Sequence, residues 1–178
     1  MTFISSAVQT SFDTTFYAGQ PGVQYDFQTS SDGLELSVAA SGSIAFGRGV
    51  ACGSTTPNVG AVPTSEATAT RLRGVALCDN RVASGSTGYA DGTQVRLLQR
   101  GKCWVYSETA IVSDRAQAYV RITESTTGAA DQGQFRGDSD SGKAVAMTGC
   151  RFLTVNGSMG ASGPCVLEVD LMPAGVAL

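Results

Sequence analysis

Residues 34–40 read LELSVAA, with Leu34, Leu36 and Val38 on alternate positions. That period of two marks a strand with one buried face, because successive side chains of an extended chain point to opposite sides. Residues 42–53, GSIAFGRGVACG, are a short apolar run broken by Gly47 and Gly49, the sign of a bulge or bend. Residues 69–78, ATRLRGVALC, predict a strand that bends at Gly74. In residues 89–108, YADGTQVRLLQRGKCWVYSE, the pattern predicts a strand, a tight turn at Arg100–Gly101 and a returning strand. Val95, Leu97, Cys103 and Val105 then belong to its buried faces. QAYVRIT at 117–123 places Tyr119, Arg121 and Thr123 on one face. KAVAMTGCRFLTV at 143–155 and CVLEVDLM at 165–172 complete the set. In the last, Val166, Glu168 and Asp170 alternate with Leu167, Val169 and Leu171.

Helical signals are nearly absent: no dozen residues carry a capped apolar stripe at i, i+3, i+4 and i+7. Roughly six to nine short strands at regular spacing predict an all-β fold over residues 31–178, a single antiparallel β-barrel or jelly-roll-like sandwich. Residues 1–30 differ. They are rich in Ser, Thr and Gln, and the turn signal Gly19-Gln20-Pro21-Gly22 interrupts any regular element. An extended N-terminal arm is the expected form. Its aromatic residues Phe12, Phe16, Tyr17, Tyr25 and Phe27 need a surface to cover them, either a neighbouring subunit or the arm's own barrel. These five are the candidate protein-interface residues.

Composition narrows the function. Charged residues make up only 15 % of the 178, against roughly 25 % in a typical soluble protein, and there are 22 glycines. Much of the surface is therefore neutral, which suits a protein packed against another. The net charge of -3 and the lack of any basic run argue against nucleic-acid binding, which needs clustered Lys and Arg. No apolar stretch is long enough to span a bilayer, and the first residues lack a signal peptide's basic start and apolar centre, so cytoplasmic synthesis is expected. Cys52, Cys78, Cys103, Cys150 and Cys165 are odd in number and show no C-x-x-C spacing, which removes the common zinc frameworks. They read as reduced, buried small hydrophobes. The chain has no histidine, the usual base near neutral pH and the commonest metal ligand.

The stretch GDSDSGKA, residues 137–144, half-resembles three chemical sites. As a phosphate loop it lacks the magnesium-binding hydroxyl, since Ala144 stands there, and Asp138 and Asp140 would repel phosphate. As a nucleophilic serine segment it has no histidine base to activate it. As a calcium loop it offers Asp138 and Asp140 in D-x-D-x-G spacing, but position twelve is Gly149 rather than a bidentate glutamate. The simplest reading is a solvated polar loop between strands. Glu35, Glu66, Glu108, Glu124 and Glu168 are scattered without a close acid/base pair. No catalytic residue, metal or cofactor is expected. Trp104, the single tryptophan, is expected in the core rather than at a binding site.

Taken in order, YAGQPG, GSIAFGRGVACG, LRGVALCDN, YADGTQVRLLQRGKCWVYSE, QAYVRIT, GQFRGDSDSGKAV and CVLEVDL resemble the structural cement, or capsid decoration, proteins of tailed bacteriophages. The likeness covers roughly residues 17–171, and the order and spacing of the segments carry it. Gly92, Val95, Leu98, Gly101, Trp104 and Val105 fall on the family's G-x-x-V-x-V-L-x-x-G-x-x-W-V hairpin, and Gly133 and Phe135 on its late G-x-F. The five cysteines and the longer polar N-terminus depart from the pattern. The resemblance implies a virion protein on the outer surface of the head, bridging neighbouring major capsid proteins and stabilising the shell against the pressure of packaged DNA. It implies the major capsid protein as partner and self-association, as a homotrimer or alternatively a homodimer, with no direct nucleic-acid or membrane contact. The alternative function is a carbohydrate- or receptor-binding β domain of a virion.

Overall fold

A computed structural model describes residues 34–78, 86–124, 132–153 and 163–171. The first part of the chain supplies β1 (Leu34–Ala40), β2 (Ile44–Ala45), β3 (Gly49–Cys52) and β4 (Val59–Ala61). A single helical turn, α1 (Glu66–Ala69), follows; Ser65 caps it, and Thr68 returns the hydrogen bond to the cap backbone. Next come β5 (Leu72–Ala76), β6 (Gly88–Tyr89) and the long β7 (Gln94–Ser107). The last four are β8 (Ala116–Arg121), β9 (Phe135–Arg136), β10 (Ala144–Leu153) and β11 (Gly163–Asp170). The all-β expectation holds.

Nine strands form one sheet in the order β1-β4-β3-β5-β7-β11-β10-β8-β9, and β2 pairs with β6 apart from it. Two further pairings close the sheet on itself, β1 with β7 and β7 with β9. The result is two circuits that share β7. One runs β7-β1-β4-β3-β5 and the other β7-β11-β10-β8-β9. Closure removes the open edges that would otherwise invite pairing with other chains.

Each circuit has its own core. Val38, Ala40, Val50, Cys52, Val95 and Leu97 fill the first, together with Ile44 and Tyr89. The Tyr89 hydroxyl donates to the Leu77 carbonyl at 2.7 Å, so its polar end is satisfied where the ring is buried. Cys103, Val105, Val120, Phe135, Phe152 and Leu167 lie in the second core with Cys150 and Cys165.

β7 corrects the hairpin expected at Arg100–Gly101. The strand runs straight through, and its two halves pair with different neighbours: residues 94–100 with β1, and residues 100–107 with β11. A hairpin requires the two halves to bond each other. Here Leu97 belongs to the first core and its neighbour Leu98 to the second, so the chain changes the face it buries. Gly101 follows at a φ of +131°, a conformation that costs a residue with a Cβ. The bend expected at Gly74 coincides with a register shift between Val50 and Ala51 on the facing strand.

Candidate functional site

The GDSDSGKA loop joins β9 to β10 through a turn of 3-10 helix at Asp140–Gly142. It is a loop between strands, as expected, but not a simply solvated one. Its carboxylates bind two guanidinium groups that β8 and β9 place beneath it. Arg121 Nε donates to Glu108 Oε1 at 2.7 Å and Oε2 at 2.8 Å, and its Nη2 donates to Asp140 Oδ2 at 2.7 Å. Arg136 Nη1 donates to Glu108 Oε2 at 3.0 Å and lies 2.9 Å from Asp140 Oδ2. Arg136 Nε and Nη2 both reach Asp138 Oδ1, at 3.0 and 2.6 Å. The side chains of Arg121 and Glu108 are only 4 % and 6 % exposed, so the pair is held in a poorly solvated place.

Electrostatics follow from these contacts. The hydrogen bond from Arg121 holds the Asp140 carboxyl below its ordinary value, with Arg136 and Lys143 adding to the effect against partial desolvation. The hydrogen bond to Glu108 raises Arg121 in turn. Asp140 and Ser141 adopt φ of +44° and +55°, which turns Asp140 back onto the guanidinium groups. Asp138 Oδ1 also accepts from the Asp140 backbone N–H at 3.0 Å. One oxygen of each aspartate that a calcium ion would use, Asp138 Oδ1 and Asp140 Oδ2, is thus already engaged by arginine. Among the described residues, no group of three or more Cys, Asp and Glu stands placed to hold a metal ion.

The loop is a latch. β9 has two residues, and it meets β7 through the single pairing Ser107↔Phe135. The ion pairs tie β8, β9 and the residue after β7 together at the point where the second circuit closes.

A second charged region lies on the outer side of β7, β10 and β11. Cys103, Val105, Cys165, Leu167 and Val169 point into the second core, so Arg100, Lys102, Glu168 and Asp170 point away from it. Lys102 sits opposite Glu168, Arg100 opposite Asp170, and Arg151 on β10 beside Glu168. With Arg115 these residues line an open groove of about 810 Å³. Four cations meet two carboxylates there, an excess of positive charge on a chain whose net charge is -3. Arg115, 3.5 Å from Glu168, is the one member of the four cations in an ion pair among the described residues.

The same outer face continues from Lys102 to Trp104 and Tyr106 on β7, opposite Val166 and Pro164 on β11. Trp104 is buried, as expected, at 8 % exposure, yet it belongs to neither core. Tyr106 is 47 % exposed. The five candidate interface residues, Phe12, Phe16, Tyr17, Tyr25 and Phe27, lie outside the described residues. The groove escapes a reading of the sequence, although the alternation in β11 assigns Glu168 and Asp170 to one face. Its cations come from β7, from the residue before β8 and from β10, and no short motif joins them.

Residues 8–170 match the family model described as structural cement protein (E217 gp24/Pam3 gp6). Among solved structures, the chain is similar to one described as "The capsid of Myoviridae Phage XM1", with a TM-score of 0.66. That likeness covers 93 % of this chain and 98 % of the other at 14 % identity, and so concerns the fold alone. No curated protein sequence matches.

Proposed function

The chain belongs to the structural cement protein family, a family of phage capsid structure, and from that premise we propose that it binds the outer surface of the head. It bridges neighbouring major capsid proteins there and stabilises the shell against the pressure of packaged DNA. The family match across residues 8–170 carries the reading. The surface is compatible with it. Among the described residues the exposed large hydrophobics are Val59, Tyr106 and Val112, which are spread over separate elements. A tight apolar contact then draws on residues outside this set, and Phe12, Phe16 and Tyr17 supply it by lying along a neighbouring subunit.

Each copy gains roughly 25 cal/mol per Å² of apolar area buried, before the costs of association. Repetition over the shell converts modest contacts into strong retention by raising the effective concentration of each next contact. The protein self-associates as a homotrimer in this reading. Binding of a carbohydrate is disfavoured because Trp104, the natural stacking platform, is buried.

The test uses emptied heads of the same virus stripped of this protein. Sedimentation should show saturable rebinding at a fixed ratio to the major capsid protein, and the reloaded heads should withstand heat better. Folded protein that leaves the heads bare would sink the proposal.

A further inference from the structure

The outer groove and the first residues of the chain are complementary in charge and meet at one point. Residues 1–33 contain Asp13, Asp26 and Asp32 and no Lys or Arg. The rest of the chain is therefore neutral overall, and the whole net charge of -3 belongs to this segment. The groove holds the opposite excess, in Arg100, Lys102, Arg115 and Arg151 against Glu168 and Asp170. β1 begins at Leu34, whose register partner is Arg100, a residue of the groove wall. Asp32 therefore stands two residues before the strand partner of a groove cation.

Length fits as well. From Leu34 back to Asp26 is eight residues, a reach of about 27 Å when extended. The groove cations Arg100, Lys102 and Arg151 lie on β7 and β10 with β11 between them, two strand spacings or about 10 Å across. Residues 25–33, YDFQTSSDG, can thus cross them. Their carboxylates at Asp26 and Asp32 suit those cations.

We propose that residues 25–33 fold back on their own copy and dock along the outer face of β7, β10 and β11, with Asp26 and Asp32 paired to the cations of the groove. The docked segment sets the direction in which Phe12, Phe16 and Tyr17 leave the molecule. This assignment stands whether or not the protein binds heads, since its test uses the isolated full-length chain.

The measurement is backbone amide exchange at residues 25–33. In the native protein at low salt these amides should be protected at least tenfold over the free-chain rate. Protection should fall tenfold or more in R100E/R151E and in D26K/D32K, and return in the chain that carries all four changes. Restored protection also shows that the single-side variants had not simply misfolded. As a readout without mutation, 1 M salt should remove most of the protection in the unaltered protein while leaving the β7 and β11 amides slow. Amides at 25–33 that exchange at the free-chain rate, or protection indifferent to both charge reversals and salt, would overturn the proposal. Protection that grows with protein concentration would overturn the fold-back and assign the groove to a neighbouring copy's segment.

Discussion

Glu108 shows how much can depend on one side chain in a protein with few charges. Its two oxygens serve both Arg121 and Arg136, and its removal leaves two guanidinium groups short of a partner in a nearly dry place. Breaking a buried pair from one side costs far more than losing an exposed one. Glu108→Gln should therefore lower unfolding free energy by about 3 kcal/mol in urea titrations. Asp138→Asn, at a side chain 57 % exposed, should cost less than about 1 kcal/mol. The latch also responds to acid. Because Asp140 titrates below its ordinary 3.8 when folded, its contribution is present above that value and is lost as pH falls through the lowered one. Unfolding midpoints should drop below pH 4, and Asp140→Asn should flatten the drop.

Alkali acts on the thiols in the opposite sense. Burial raises Cys150 and Cys165 from the ordinary 9.0 to about 12, and raises Cys103 as well. Unfolded thiols ionise first, so stability is full below pH 9 and declines from there towards pH 12. Replacing Cys150 and Cys165 by Ala should weaken that alkaline slope, whatever it does to stability at pH 7. At this scale the sequence was partly legible. Apolar neighbours marked Cys78, Cys103, Cys150 and Cys165 as buried; the structure agrees for the last three, while Cys78, two residues past the end of β5, is only half-buried. The ion pairs were not legible, because Glu108, Arg121 and Arg136 lie 13 and 28 positions apart and meet only through strand pairing.

Among the elements, β10 and β11 show the same limit. Their pairing brings Gly149 against the carbonyl of Asp170, where a Cβ would collide with backbone, and Gly149 has a φ of +89°. Opposite it, the β8–β10 register breaks between Ala146 and Arg151. The Gln117 amide fills the gap by donating to the Met147 carbonyl at 2.7 Å and approaching that of Cys150 at 3.2 Å. Gly149→Ala should cost roughly 3 kcal/mol through strain and clash, read as a fall in the urea midpoint. Gln117→Ala should cost about 1 kcal/mol for the exposed end of the same irregularity. The alternation of Val166, Glu168 and Asp170 with Leu167 and Val169 was readable, and the structure turns Leu167 and Val169 into the core. A hairpin at Arg100–Gly101 was the wrong reading of a sound observation. A glycine between two alternating runs fits either a turn or a bend, and only the partners on each side distinguish them.

For the molecule as a whole, the two circuits around β7 form one closed sheet among the described residues, and the proposed function assigns the apolar contact to Phe12, Phe16 and Tyr17. Deleting residues 1–24 should leave the thermal midpoint of the isolated protein within a few degrees of the full chain, while saturable binding to stripped heads is lost. A truncated chain that still coats the heads would move the contact to the sheet itself.

Period-two alternation, the scarcity of charge and the missing histidine were enough to establish strands, a buried set of thiols and the absence of ordinary histidine chemistry. These are local or additive properties, and each residue declares them alone. Pairing is neither local nor additive. That β7 passes through both circuits, that Glu108 meets two arginines, and that Arg100, Lys102, Arg115 and Arg151 share one groove all depend on which strands become neighbours. Strand pairing is decided by the free energy of closing the whole sheet around two cores, so those facts became visible only in the folded chain.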